Sequence, residues 1–539
     1  MDIVENLKLN IQSSLASLNQ SVSLDDIVIE KSKDAAHGDY ASNVAMKSAR
    51  LFGKAPRDVA ALIIENLDMN DIEKVEIAGP GFINFFMKND SLQQIVKKII
   101  AEGDNYGRLE KKNQKVNVEF VSANPTGLLH VGTARGAAIG DSICRILDFA
   151  GYDVTREYYI NDAGSQITNL GLSIQARYKE LFGLDASIPE DGYAGDDIKE
   201  IAELIKNEEG DKLLKQEDAL SYFKEKGMKV ELDRIVKDLD KFRVHFDVFS
   251  SEKVIRADNA IEKELDFLKD YIYESDNALY LKTTAFVDDK DRVVKKSNGD
   301  YTYFMPDICY HVNKMSRGYD FIIDVLGADH HGYINRMKSA LMMHGYKEDA
   351  LHVELIQMVR FLKDGQEFKA SKRRGDAITL RDVCEEVGVD AMRYFFAMRA
   401  ASGHLDFDMD LAKEQSSNNP VYYAQYAHAR LCSILEQGKD IPIDESGKNL
   451  KEQSEMALLK HLADFGKVIN DAAKDKAPYK IANYIHALAE LVHVFYNECR
   501  VIDKSNTDIC SSRIALVKAS KIVLKNALNL LGVSAPIHM

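Results

Sequence analysis

The chain of 539 residues carries 70 Lys and Arg against 85 Asp and Glu, a formal net charge of −15, with 45% hydrophobic and 29% charged residues. This length exceeds what one hydrophobic core serves, so three to four domains are expected, and the apolar content excludes a disordered polymer. No apolar run reaches the 18 residues of a membrane helix and the acidic start "MDIVENLKLNIQ" is no signal peptide, so a cytoplasmic protein without membrane contact is expected.

Residues 1–110 read as a small α/β unit with a linker. A helical start is followed by "LDDIVIEKS", helical "YASNVAMKSARLFG" and "APRDVAALIIENL", strand-like "KVEIAGPGFINFFM" and the charged "GRLEKKNQK". Next, "KVNVEFV" alternates apolar and polar residues and predicts a strand, and Ala134 to Gly151 predicts a helix stopped by glycine. With the strand "DVTREYYIND" and a further helix, residues 111–175 give the βαβ pattern of a parallel sheet. Residues 176–300 hold 22 Lys and Arg against 31 Asp and Glu, are helical in period, and read as an insertion. A second half, 301–365, gives "DICYHVNKMSRG" as a helix, "YDFIIDVLGADHH" as a buried strand ending in a polar loop, and a helix to Gly345. Residues 366–415 hold the basic "FKASKRRGD" and connecting helices, and 416–539 read as helical. Over 411–539 the balance is 16 cations to 14 anions, so a nucleic acid would be repelled by the middle of the chain and tolerated by its end.

The six cysteines, Cys144, Cys309, Cys384, Cys432, Cys499 and Cys510, form no C-x-x-C pair, which favours reduced thiols and disfavours zinc. Neither a P-loop nor a dinucleotide fingerprint occurs. Two polar loops fall instead at predicted strand ends, where open α/β sheets bind ligands: 122–133 and "GADHHG" (327–332). In the first, His130 lies where a strand hands over to a helix whose N-terminal N–H groups suit a phosphate. Four cations within "KASKRR" suit a pyrophosphate as it departs. Taken singly, His130 reads as a cap, "KASKRR" as a solvated turn, and the paired histidines of "GADHHG" as structural or ribose-binding. Glu119 in an apolar strand and Asp307 near a helix start are carboxylates in costly places, suited to a guanidinium. Without such a partner, Glu119 faces water and Asp307 caps its helix.

"ANPTGLLHVGT" (Ala123, Asn124, Pro125, Thr126, Gly127, Leu128, Leu129, His130, Val131, Gly132, Thr133) resembles the His-x-Gly-His element of class I aminoacyl-tRNA synthetases, and "KASK" resembles their Lys-Met-Ser-Lys loop. "REYYINDAG", "GADHHGY", "FDMDLA", "NNPVYYAQYAHAR", "HGDYASNVA" and "AGPGFINFF" resemble arginyl-tRNA synthetases, nearly the whole chain being covered. The resemblance implies an α/β fold: a Rossmann-like parallel-sheet catalytic domain, a small N-terminal α/β domain and an all-helical anticodon-binding domain. It implies ligation of L-arginine to its tRNA through an arginyl-adenylate, with ATP and nucleotide-borne Mg²⁺, no dedicated protein metal site, and a monomer. By residue, it implies His130, Thr133, Lys369 and Lys372 in catalysis; Gly132, Gly327, Asp329 and Ser371 at ATP; and Glu119, Asn124, Tyr303 and Asp307 at arginine. Phe82, Asn84, Tyr422 and Tyr426 are implied at tRNA. Thr133 replaces the family's second histidine, where its hydroxyl is expected to donate to a phosphate, and Ala370 replaces the usual Met. Another nucleotidyltransferase of this fold, or a tRNA-binding paralogue without catalysis, are the alternatives.

Overall fold

A computed structural model describes residues 3–32, 37–257, 259–368, 378–503 and 505–539, the side chains of 89–92 excepted. The N-terminal unit comprises α1 (Ile3–Ser17), β1 (Ile29–Lys31), β2 (Tyr40–Ser42), α2 (Val44–Phe52), α3 (Pro56–Glu65), β3 (Ile72–Ala78) and β4 (Phe82–Met87). Its four strands form one antiparallel sheet, ordered β1-β2-β4-β3. The helix α4 (Asn89–Glu102) then packs along the C-terminal helices. The charged stretch read as a linker is pinned to the region that follows, because Leu109 N–H and Lys112 N–H donate to Phe149 O and Gly151 O at 2.9 and 2.8 Å.

The parallel-sheet region begins with β5 (Lys115–Glu119), α5 (Ala134–Phe149), β6 (Asp153–Ile160), α6 (Ser165–Glu180), α7 (Asp196–Glu209), α8 (Ala219–Lys241) and β7 (Val248–Ser251). It continues with α9 (Glu252–Ile255), α10 (Ala260–Phe267), β8 (Ile272–Ser275), β9 (Ala278–Leu281), β10 (Arg292–Lys295), α11 (Phe304–Ser316), β11 (Phe321–Gly327), α12 (Ile334–Met343) and β12 (Leu351–Ile356). Five strands pair in parallel in the order β12-β11-β5-β6-β7. The chain therefore builds outward from β5 on one side and resumes at β11 on the other, which makes the β5/β11 boundary the switch point where a ligand crevice opens.

Small residues set how closely α5 approaches this sheet. A Cβ added to Gly140 would stand 2.4 Å from the Phe120 ring, so only glycine permits the contact. At the far end Gly151 adopts φ +91°, with Glu110 O only 2.0 Å from where a Cβ would be.

The helical reading of 176–300 requires correction. That stretch carries β7, which joins the main sheet, and the antiparallel β8–β10 sheet. Non-local pairing decided these segments where local period suggested helix. Beyond β12 come β13 (Val359–Lys363), β14 (Gln366–Glu367), α13 (Leu380–Val387), α14 (Val389–Ala397), β15 (Leu405–Asp408) and α15 (Met409–Lys413). Helices α16 (Pro420–Gln437), α17 (Gln453–Ala463), α18 (Phe465–Asp475), α19 (Pro478–Glu498) and α20 (Thr507–Leu530) form the C-terminal bundle.

One buried guanidinium ties three regions together. Arg393 of α14, fully buried, donates to Asp141 Oδ2 at 2.5 Å on α5, to Phe242 O at 3.0 Å after α8, and to Leu531 O at 2.8 Å after α20. Arg393→Met should leave Asp141 and two carbonyls short of a donor and cost about 3–5 kcal/mol of stability. Denaturant unfolding would read this, and an unchanged midpoint would refute the junction role.

Candidate active site

The chain leaves β5 by a strained turn. Val121 N–H to Ser122 lies in the left-handed region, with φ +69° at Val121 and +40° at Ser122, and Ser122 N–H closes on Phe120 O at 2.9 Å. A β-branched residue in this γ-turn is unfavourable and persists only where surrounding contacts impose it. Here Ser122 Oγ donates to Glu119 Oε1 at 2.9 Å and accepts from Tyr159 N–H at 3.1 Å. The turn directs the following loop across the sheet's carboxyl edge. Asn124 Nδ2 donates to Gln166 Oε1 at 2.6 Å, and Ala123 O accepts from the Tyr158 hydroxyl at 2.6 Å. Pro125, Leu129 and Val131 are buried, whereas Leu128 is exposed and Thr126 and Gly127 are partly so.

His130 caps the short 3-10 turn Val131–Thr133 that runs into α5. Gly132 N–H donates to His130 Nδ1 at 2.8 Å, so a neutral ring carries its hydrogen on Nε2, as a donor on the exposed side of the cap. Thr133 behaves differently from the expected phosphate donor. Its hydroxyl donates to His130 O at 2.7 Å, which leaves only lone pairs for a ligand. Lys369, Ser371 and Lys372 lie outside the described residues, but the flanks are described. Phe368 N–H bonds to Phe361 O at 2.7 Å, and Val131 N–H and Leu380 N–H bond across to Ile378 O and Leu129 O, each at 2.9 Å. The described flanks of the basic segment therefore lie beside β13 on one side and beside His130 on the other.

Across the switch point, three carboxylates stand side by side. Asp324 of β11 is in register with Glu119 of β5, which is in register with Glu157 of β6. All three are buried, and α11 covers them with basic groups. Lys314 Nζ meets Glu119 Oε2 at 2.5 Å and Asp324 Oδ1 at 2.8 Å. His311 Nε2 lies 2.7 Å from Asp324 Oδ2. Glu157 receives Arg317 at 2.7 Å, Tyr310 at 2.9 Å, and Asn117 and Ser250 at 2.5 Å each. Burial alone would raise Asp324 and Glu157. The Lys314 ammonium, with His311 and Arg317, holds both below the usual carboxylate range.

Asp307, in the first turn of α11, is the exception. Its carboxylate has no hydrogen bond or ion pair among the described residues, and burial pushes it up to about 6, with Glu119, Glu252 and Asp324 adding to the rise against His311. Glu252, beside Tyr159, is matched by Arg256 at 3.2 Å. Tyr303 is 90% exposed at the start of α11. Gly327 and Asp329 occupy the carboxyl end of β11, with the Asp329 side chain open to solvent.

Thus Glu119, Asn124, His130, Asp307 and Gly327 meet along the β5/β11 crevice, while the RNA-contact candidates lie elsewhere. Phe82 is exposed on β4, but Asn84 is buried in the sheet's interior. On α16, Tyr422 and Tyr426 stack at 6.2 Å, and Tyr426 is 40% exposed. Tyr484 instead packs in the core against His461 and Phe465. Residue-by-residue reading overlooked Lys314, His311, Asp324, Glu157 and Arg317. Of these, only Glu157 and Asp324 carried a signal, as one acidic residue inside "REYYI" and "FIIDVLG".

Comparison with known proteins agrees with this arrangement. Residues 5–87 match the arginyl tRNA synthetase N terminal domain, 95–400 the catalytic domain of class I (R) tRNA synthetases, and 424–539 the DALR anticodon binding domain. The chain is 48% identical to an arginine--tRNA ligase of Bacillus subtilis (strain 168), with all of both chains covered. It is 50% identical to that of Geobacillus kaustophilus (strain HTA426), covering 98% of this chain and 97% of the relative. The Thermus thermophilus arginyl-tRNA synthetase has the same fold, with a TM-score of 0.79 at 21% identity over the full length of both chains. Full-length identity of this degree, with the three domains in this order around one parallel-sheet crevice, means that the chain belongs to the arginyl-tRNA synthetases, class I enzymes that use ATP to charge tRNA with arginine.

Proposed function

We propose that the β5/β11 crevice activates arginine with Asp307 as the acceptor of its guanidinium, with Glu119, Asn124 and Tyr303 completing the pocket. The observation that carries this reading is the half-buried Asp307 carboxylate, which lacks a partner among the described residues while Glu119, Asp324 and Glu252 are each matched. A buried carboxylate without a counter-charge is costly, and a planar, permanently charged guanidinium with five donors relieves it. Glu119 contributes through Oε1, since Oε2 is held by Lys314.

In the proposed reaction the arginine carboxylate attacks the α-phosphorus of ATP in line, the bond to pyrophosphate breaks, and charge accumulates on the departing group. Positioning and charge stabilisation then supply most of the acceleration. His130 Nε2 and the N-terminus of α5 serve the phosphates, with Gly132 allowing close approach. Lys369 and Lys372 serve the pyrophosphate, Ser371 and Gly327 the nucleotide, and Asp329 the ribose. Thr133 acts by bracing the His130 carbonyl. Mg²⁺ belongs on the phosphates in this reading, because the buried carboxylates Glu119, Glu157 and Asp324 are occupied by Lys314, Arg317 and His311. Phe82 and the Tyr422–Tyr426 stack are the RNA contacts, offering rings to unstacked bases. Six free thiols support action in the reducing cytoplasm, and we assign a monomer.

Three outcomes are expected. Lys372→Ala and His130→Ala should each slow adenylate formation by about 10²–10³-fold with arginine affinity nearly unchanged; pyrophosphate exchange reads the rate, and equal losses in rate and affinity would oppose the assignment.

Arginine binding should weaken as pH falls, because a cation needs Asp307 ionised and its carboxyl is held at about 6. The loss should approach tenfold between pH 7 and 5, as each pH unit below the pKa removes about tenfold of the ionised form. Asp307→Asn should raise the arginine KM by roughly 10²-fold and flatten this limb, with lysine a poor substrate throughout. Because protonated Asp307 is the form the fold favours, the variant should unfold no earlier than the parent at pH 7. Efficient use of citrulline by the parent would contradict the pocket.

By family resemblance, arginine-dependent pyrophosphate exchange should be near background without cognate tRNA, and tRNA binding should weaken as salt rises. Strong exchange in the absence of RNA would count against coupled activation.

A further inference from the structure

His311 is the one member of the α11 contacts whose charge the hydrogen bonds themselves specify. Its Nδ1 lies 2.8 Å from the backbone oxygen of Asp307, and a carbonyl can only accept, so Nδ1 carries a hydrogen. Its Nε2 lies 2.7 Å from Asp324 Oδ2. The other oxygen of that carboxylate faces the Lys314 ammonium at 2.8 Å, an environment in which Asp324 is ionised and can only accept. Nε2 must then carry a hydrogen as well. Charge balance agrees independently. Asp324, Glu119 and Glu157 form a buried row of three anions, for which Lys314 and Arg317 supply two cations. A third cation closes the balance. Among the described residues, the groups that face the ring are Asp324 from β11, Asp307 and Tyr310 from α11, and Tyr333 ahead of α12 at 6.1 Å between ring centroids, with Lys314 on the other oxygen of Asp324.

We infer that His311 is an imidazolium in the resting enzyme and is the positioning residue that holds Asp307 at the arginine pocket. The second half of this statement rests on Asp307 being the guanidinium acceptor. The ring acts twice on Asp307. It clamps the carbonyl of Asp307 from within the same helix, so the first turn of α11 cannot fray. It also places a fixed positive charge beneath the carboxylate, which keeps Asp307 ionised near neutral pH, where burial among Glu119, Glu252 and Asp324 alone would favour the proton. Arginine thus meets a ready anion rather than one that must first lose a proton.

Neutron diffraction from the unaltered full-length protein at pH 7.5 tests the charge directly. Hydrogen isotope on both Nδ1 and Nε2 is expected; isotope on one nitrogen only, or on Asp324 Oδ2, overturns the inference. The positioning role is read by the pH dependence of the arginine KM in His311→Gln. A neutral amide there should move the low-pH limb upward from about 6 by roughly one unit, since an opposite charge close by lowers a carboxyl by about 1–3 units. The gap in arginine KM between variant and parent should narrow as pH rises toward 8.5, where Asp307 ionises regardless. A uniform rise in KM at every pH with the limb unmoved would reduce His311 to a structural residue and refute the positioning role. Should Asp307→Asn leave the arginine KM unchanged, the acceptor assignment fails and the positioning role with it, while the diffraction result on His311 stands or falls separately.

Discussion

The site depends on the matching of a row of three buried carboxylates by a single helix. Asp324, Glu119 and Glu157 occupy the same register on adjacent parallel strands, so their negative charges are separated only by strand spacing. Left alone, such a row would protonate or force the strands apart. Helix α11 prevents this by presenting His311, Lys314 and Arg317 at intervals of three residues. Buried ion pairs of this kind are not a general source of stability, because a well-packed apolar replacement is often as stable or more so. What they impose here is geometry. Displacing α11 by one turn would leave two or more charges unmatched at once, so the helix has one permitted position over the strands.

That position determines the Asp307 end of the crevice. With α11 fixed, Asp307 in its first turn is the carboxylate without a partner among the described residues. The His130 end is built by different means. A strained turn at Val121–Ser122 directs the loop toward His130, and backbone pairing with Ile378 and Leu380 brings the flank of the basic segment alongside. One end therefore relies on buried charge and the other on backbone geometry. The two meet at Glu119, whose Oε1 accepts from Ser122 and whose Oε2 binds Lys314.

The N-terminal and C-terminal regions are joined to this centre by buried polar contacts as well as by apolar packing. Arg393 links α5 and α14 to the end of the C-terminal bundle. Helix α4 lies along α17 and α20, with Gln93 donating to Leu450 O and Tyr106 to Leu462 O, both at 2.9 Å. The stretch that follows the N-terminal unit is thus held against the bundle by buried hydrogen bonds, and Lys31 of β1 reaches Asp464 at 2.7 Å.

Local features were legible from the residues alone. The strand-to-helix passage around His130, the glycine stop at Gly151 and the strand at 321–327 each depend on neighbours within a few positions, and local period and turn chemistry report them well. The unusual placement of Glu119 and Asp307 was also visible, since an acid in an apolar run stands out. Their partners were not. Lys314 is 195 residues from Glu119, and nothing in "YHVNKMS" distinguishes a lysine that will be fully buried from one that will be solvated. Likewise β7 reads as part of a charged helical stretch, because its four residues become a strand only when β6 supplies an edge. The alternation, caps and signature residues of the chain by themselves determined the class of fold and the loops that meet ligand. Tertiary structure alone decided which carboxylates are neutralised and which stands without a partner among the described residues, because parallel strand register and helix placement are set by contacts between segments far apart in sequence.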